Sequence, residues 1–324
     1  MNAETHVAQP RLMHLPVSLF AMVMGLSGLT LATLRFEHAS GAAGAVSPYL
    51  LGLTVLVFIG IAGLYLTKLV RHPAAVKAEW HHPVRLAFFP AISISLVLIA
   101  TALFAVSPAL ALPVWALGTA LQLVATLAVV SSWIGHRPFE AAHLNPAWFI
   151  PAVGNVLVPL AGVRLGYVEV SWFFFATGMM FWIILLTLVF NRLVFHAQLP
   201  DRLMPTLMIL VAPPAVGYLS YSQFSPTPDA FSRILFYAAV LFALVVLTQL
   251  PRLVKLPFMI SWWAYSFPVA ALTAAAFAYG EAAAAPGIVL AAKGLYAVLA
   301  VLIVMLAGRT ARAAMNGEIC KPET

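Results

Sequence analysis

Charge is what this chain has least of. Only 8% of its 324 residues are Asp, Glu, Lys or Arg, and 63% are hydrophobic. A soluble domain carries roughly 25% charged residues. A surface that poor in charge excludes an ordinary water-soluble globule, so most of the chain must face lipid or other apolar helices. Cysteine is scarcer still, with Cys320 in the C-terminal tail as the single example. One thiol excludes a disulfide framework and a cysteine metal site. The ten acidic residues all fall at expected helix ends, loops or tails, so no buried acid is expected in the membrane-spanning part. Proton-coupled carriers and pumps commonly relay protons through intramembrane acids or histidines. Of the nine histidines, His6, His14, His72, His81, His82, His136, His143 and His196 fall on one side of the expected membrane and His38 on the other. None is placed as a buried relay. His81 and His82 are adjacent and point apart on a helix, which favours a wet basic rim over a metal-ligand pair. No Ser-His-Asp set or zinc-protease motif is present. Neither enzymatic activity nor a cofactor is expected.

What the chain does have is long apolar runs. Each needs about 20 residues to cross the hydrocarbon core. Ten such runs are expected at about 15–35, 48–69, 84–106, 109–134, 146–165, 170–194, 204–222, 229–250, 257–279 and 285–308. The length would allow two soluble domains; it is better used as one all-α integral membrane domain. The first run is too long for a signal-peptide core and reads as a retained span. The expected map is a cytoplasmic segment over 1–14, a channel domain over 15–309 and a cytoplasmic tail over 310–324. The net charge of +7 sits at helix ends, where it sets topology, and is not a nucleic-acid signal. Of the Lys and Arg residues, 13 fall on the N-terminal side of the odd-numbered spans and 4 opposite, namely Arg35, Arg164, Arg233 and Lys293. The positive-inside rule then puts both termini in the cytoplasm. Lys293 lies within the last span; it can snorkel to the outer surface, pair with Glu281 or face a subunit contact, and snorkelling is the favoured reading.

The odd spans share a pattern. Each opens near a proline: Pro16, Pro83, Pro146, Pro205 and Pro257. Proline suits the first helical turn, where its missing donor costs nothing. The odd spans also hold interior breakers: Gly25 and Gly28; Pro90; Pro151, Gly154 and Pro159; Pro213, Pro214 and Gly217; and Pro268. The even spans are smoother, with Pro113 the main exception. Broken backbone is tolerated at membrane depth only where it is buried or faces water. The pattern therefore predicts five bent inner helices and five straighter outer ones, as five hairpins around one axis. Alternatively, proline and glycine are simply common in membrane helices. In the ninth span, Phe267 precedes Pro268, which would free the carbonyl of Ala264 and bend the helix. The Phe267 ring reads either as a plug at that bend or as one of 21 phenylalanines packing between helices. Ser93, Ser95, Asn155, Ser220 and Ser266 could offer donors to an anion or bond a neighbouring helix.

Four segments together resemble a known family. The third span reads HHPVRLAFFPAISIS, the fifth NPAWFIPAVGNVLVPLAG, the seventh LMILVAPPAVGYLSY and the ninth WWAYSFPVAALTAA. In this order they resemble the tellurite-resistance and C4-dicarboxylate transporter family, which includes bacterial TehA and the slow-type anion channels of plant guard cells. The resemblance runs from Pro16 to about Arg309. It implies ten helices as five hairpins around a pore, a homotrimer with one pore per subunit, and a phenylalanine gate in the ninth helix, where Phe267 matches. The candidate pore-lining and kink residues are Gly25, Pro90, Ser93, Gly154, Asn155, Pro213, Pro214, Ser266 and Pro268. The plant channels carry long phosphorylated termini; those here are short, so kinase control is not expected. A basic cytoplasmic mouth and a pore without buried acids favour anions. The expected function is a gated anion channel, or channel-like transporter, of the bacterial inner membrane, acting on small inorganic or organic anions. The alternatives are a C4-dicarboxylate or tellurite carrier, with or without proton coupling, and a membrane protein that transports nothing.

Overall fold

The computed structural model describes residues 11–135 and 139–320. His6, His136, Arg137 and Lys321, used in the charge and histidine arguments, lie outside the described residues. Every regular element among those residues is helical. In chain order they are α1 (Phe20–Ser40), α2 (Ser47–Arg71), α3 (Pro73–His81), α4 (Ala91–Leu103), α5 (Pro108–Ile134), α6 (Phe149–Val153), α7 (Pro159–Gly162), α8 (Val168–Phe195), α9 (Ala212–Phe224), α10 (Ala230–Leu247), α11 (Leu250–Leu253), α12 (Ser266–Ala282) and α13 (Pro286–Met315).

Among the described residues, 9 helical segments are long and apolar enough to cross a membrane, and they fall on nine of the ten expected spans. The fifth differs. Pro146–Gly162 is a run of short pieces: a 3-10 turn at Pro146–Trp148, α6, a second 3-10 turn at Gly154–Leu157, then α7. The cause lies in its composition. Pro151 and Pro159 cannot donate to a helical ladder, and Gly154 between them is a weak helix former.

Burial separates the helices into two sets. In the segments Val17–Ser40, Arg85–Leu103, Met204–Phe224 and Ile260–Ala282, 67 to 83% of the most apolar stretch is buried. In α2, α5, α8, α10 and α13 the share is 17 to 39%. The second set carries the exposed large side chains, such as Leu56, Leu127, Ile183, Leu241 and Val301. In a membrane those faces meet lipid. The inner segments contact one another in sequence: α1 with α4, α4 with α7, α7 with α9, α9 with α12, and α12 with α1 again. Each also packs on the long outer helix that follows it, as α1 does on α2 and α12 on α13.

The inner segments share a construction that differs from simple kinking. Each starts with a 3-10 lead-in, at Val17–Leu19, Arg85–Phe88, Pro146–Trp148, Met204–Leu210 and Ile260–Tyr265. The outer helices start directly as α-helix. Prolines mark the joints. Pro90 is the N-cap residue of α4, Pro213 and Pro214 lie in the first turn of α9, and Pro268 lies in the first turn of α12. A proline there has no N–H to donate to the carbonyl four residues back, so the α ladder cannot extend into the lead-in. Pro268 is thus not a mid-helix kink, as expected from the sequence, but a joint between two helix types. Gly25 is not a kink either, since α1 runs unbroken through it. Its role is close approach: a side chain there would collide with Ser266, and one at Gly28 would come within 2.7 Å of the Ala270 Cβ. The two glycines let α1 and α12 lie against each other.

Candidate functional site

Two cavities lie between the inner segments. The narrow one, about 50 Å³, is lined almost wholly by apolar side chains. Met24 of α1, Ile94 of α4, Phe149, Val153 and Leu157 of the fifth segment, Ile209, Pro213 and Val216 of the seventh, and Phe267 of the ninth all contribute. Phe267 is half-buried while Ser266 and Pro268 beside it are buried. The Phe267 ring lies against the face of α1 that Gly28 leaves open, since a Cβ on Gly28 would stand 3.4 Å from it. Among the described residues it stacks on no other aromatic ring.

The wide cavity, about 720 Å³, is lined by the same five inner segments nearer their C-terminal ends. Ala274 and Ala278 of α12 line it, about two and three helical turns beyond Phe267. Its walls hold four titratable side chains besides Tyr218: Arg35, His38, Arg164 and Glu281. The Arg164 guanidinium sits over the Phe104 ring, 4.1 Å from its centroid. Burial, and then repulsion from Arg35, lowers the Arg164 pKa. A guanidinium starts so high that it stays cationic. Two of the four basic residues on the charge-poor side therefore line one cavity. Their place against the topology rule is the signal that the sequence offers for them.

The sequence-derived site residues divide between these cavities and the protein interior. Gly154, Pro213 and Phe267 line the narrow cavity. Ser93, Asn155 and Ser266 are buried and direct their polar atoms elsewhere. Ser93 donates to the Pro90 carbonyl (2.8 Å) and lies 2.7 Å from the Gln122 side-chain oxygen on α5. Asn155 donates to the Ala152 carbonyl (2.7 Å) and to Thr126 of α5 (3.0 Å). Gln122 and Thr126 also donate to the Pro151 carbonyl, at 3.1 and 2.9 Å. Ser266 donates to the Trp263 carbonyl (2.6 Å), and Ser220 to that of Val156. These partners cluster where the backbone is broken, and a carbonyl without a partner in an apolar medium costs several kcal/mol. The polar side chains thus support the breaks, a use that spacing alone did not reveal. Ser95 bonds its own helix at the Ala91 carbonyl.

Two acids, Glu37 and Glu79, are buried, and both lie outside the expected spans. Glu37, near the end of α1, accepts from the N–H groups of Gly44 (3.0 Å) and Ser47 (2.9 Å) and from the Ser47 hydroxyl (2.6 Å), capping α2. Glu79 of α3 pairs with Lys68 of α2 at 2.7 Å. It also accepts from the Tyr65 hydroxyl (2.9 Å) and the Val17 N–H (2.7 Å), while Lys68 donates to the Leu15 carbonyl (2.7 Å). This network ties α2 and α3 to the start of the first segment. Neither acid lines a cavity. Among the described residues no group of three His, Cys, Asp or Glu could hold a metal. His81 bonds the Lys77 carbonyl, and the His82 ring accepts from Val84 and Arg85 N–H groups. Lys293 is exposed on α13 and forms no ion pair with Glu281.

Comparison with known proteins gives the same direction. Residues 14–311 match the family model SLAC1, described as voltage-dependent anion channel. The chain is 29% identical over 282 residues to the S-type anion channel SLAH2 of Arabidopsis thaliana, covering 84% of this chain and 54% of that protein. It is 30% identical over 283 residues to SLAH3 of the same plant, covering 83% and 44%. It is 30% identical over 272 residues to a tellurite resistance protein TehA homolog of Haemophilus influenzae, covering 82% of each. The chain thus spans about half the length of these plant relatives. With its apolar helices and a match over most of its length, the chain is a multi-pass membrane protein and belongs to the SLAC1 family of anion channels and transporters, TehA among them.

Proposed function

We propose that this protein is a gated anion channel of the bacterial inner membrane, with a pore between the five inner segments and Phe267 as its plug. The observation that carries the reading is that one set of five segments lines both cavities, and Phe267 stands in the narrow one. A bulky ring in a dry apolar gap stops ions by its size and by keeping water out. With no acid in the wall of the narrow cavity, and two arginines and a histidine against one glutamate in its wide neighbour, anions are the favoured species. Selectivity then follows dehydration cost and width.

Several further features belong to this reading. The fifth segment acts as the tenth span, giving five hairpins around the pore. Both termini face the cytoplasm, as the charge bias requires. Three copies assemble, each with its own pore, as the family resemblance implies. No nucleic acid takes part. The second reading is a carrier for C4-dicarboxylates or tellurite, favoured by the tellurite-resistance relative. The two separate in planar-bilayer recording of the purified protein. A channel gives anion currents that rise when Phe267 is shortened to Ala. A carrier gives saturating uptake in liposomes and no unitary current. Normal assembly of Phe267→Ala with unchanged current would rule out the gate.

Topology has its own test. Cys320 should resist a membrane-impermeant maleimide in intact cells and react after permeabilisation. Burial raises its thiol pKa, so the labelling is run at mildly alkaline pH. Labelling of intact cells would reverse the orientation.

A further inference from the structure

The wide cavity holds more charge than a passive antechamber needs. Among the described residues, neither Arg35 nor Arg164 is in an ion pair. The two arginines line one cavity with a single acid in its wall, an excess of positive charge that an anion relieves. The neutral donors nearby are largely committed. The Thr101 hydroxyl donates to the Val97 carbonyl, and that of Ser222 to the Leu219 carbonyl. Gln223 gives one of its two N–H groups to the Leu219 carbonyl, so the guanidiniums offer most of the free N–H groups of this wall. The Phe104 ring, 4.1 Å from the Arg164 guanidinium carbon, limits where that fork can sit. A planar fork of donors held in place matches a planar oxyanion, which it can bind through two parallel hydrogen bonds, better than a spherical halide. The volume, about 720 Å³, has room for such an ion with much of its water, at about 30 Å³ per water. Glu281 lies in the same cavity and pairs with neither arginine. His38 is the remaining titratable group there apart from Tyr218.

We propose that Arg35 and Arg164 form a docking site for small planar oxyanions, carboxylates included, and that Glu281 weakens it so that the ion can leave toward the narrow cavity. The site rests on the anion-conducting reading and adds to it where the ion waits. A conducting pathway needs sites that attract an ion yet release it. Two guanidiniums alone would hold an oxyanion too long. A carboxylate in the same wall lowers that affinity by repulsion and leaves the width of the gap unchanged.

The test uses formate as the oxyanion and chloride as the spherical comparison, at constant ionic strength with a bulky sulfonate. In the Phe267→Ala background, current is measured against formate concentration. Arg35→Gln with Arg164→Gln should raise the half-saturating formate concentration by about tenfold or more, since each removes a charge-assisted hydrogen bond. The saturating current should change far less. Glu281→Gln should lower the half-saturating concentration about threefold. Arg164→Lys should keep chloride currents near the parent's and weaken formate, because it keeps the charge and loses the fork. A double variant whose half-saturation lies within twofold of the parent overturns the site. Should Phe267→Ala pass no current, the channel reading fails and the site is judged by thermal unfolding in detergent. There formate should raise the melting temperature of the unaltered protein and not that of the double variant. Equal stabilisation of both would overturn the site independently of conduction.

Discussion

The narrow and wide cavities are built by the same five segments and differ in almost everything else. One is small and apolar, with the rings of Phe149 and Phe267 in its wall. The other is roomy and holds two arginines, a histidine and a glutamate. About two helical turns of α12 separate their linings. The difference teaches that position along a segment, not the identity of the segment, decides the chemistry. Near the helix breaks the cavity wall is apolar, Phe149 and Phe267 included, and the polar side chains nearby bond to backbone carbonyls. Toward the C-terminal ends charged side chains line the wall, Arg35 and Glu281 from α-helix and Arg164 from the turn after α7.

The comparison can be broken most decisively at Phe267. Phe267→Ala should raise anion current by at least about tenfold, because it removes both the bulk and the apolar surface of the constriction. Phe267→Leu should raise it less. If the ring only packs between helices, Ala should instead cost about 3–5 kcal/mol of stability and reduce the yield of folded protein.

A second test asks whether the two cavities differ in access. In a Cys320→Ser background, a cysteine at Ala278 should react with a small water-soluble thiol reagent in the closed protein. A cysteine at Ile94 should react only when Phe267→Ala is added. Equal rates at both positions in the closed protein would erase the distinction between wet and dry. Cysteines at Ser93, Asn155 and Ser266 should be slow in either state, since these side chains are buried and bonded to the backbone breaks.

Smaller effects sharpen the picture. Val216→Thr keeps the shape of the narrow cavity and adds one hydroxyl, so it should raise leak current severalfold by favouring water there. A leak no greater than that of the parent would argue against a dry gap. Gln122→Leu should act in the opposite way, on stability and not on current. It removes the partner of Ser93 and one donor to the Pro151 carbonyl. Leaving buried polar groups unpaired costs about 1–3 kcal/mol. Thermal unfolding in detergent should show the loss, and a large change in conductance would mean that Gln122 reaches the ion path.

Much of the architecture was legible in the sequence, because lipid forces long apolar runs and a charge asymmetry between loops. The alternation of broken and smooth helices was legible in Pro90, Pro151, Pro213 and Pro268. What those prolines did was not. A proline marks where an α ladder stops, but not that the preceding turn is a 3-10 helix, which depends on how the lead-in packs. The direction of Ser93, Asn155 and Ser266 was also hidden. A hydroxyl or amide is equally suited to an ion and to a carbonyl, and which it meets is fixed by neighbours far away in sequence, such as Gln122 and Thr126. The burial of Glu79 was hidden because its partner Lys68 sits on another helix and its other donors, Tyr65 and Val17, carry no pattern.

The 3-10 turns also bear on reach. By residue count the fifth segment is short, at 17 residues, which as pure α-helix would rise about 26 Å. A hydrocarbon core is about 30 Å thick. Seven of its residues, in Pro146–Trp148 and Gly154–Leu157, are 3-10 and rise about 2.0 Å each rather than 1.5 Å. In rise alone that adds about 3.5 Å and brings the segment to within roughly 1 Å of the core thickness. The breaks that leave this segment in fragments also lengthen it toward what a span requires.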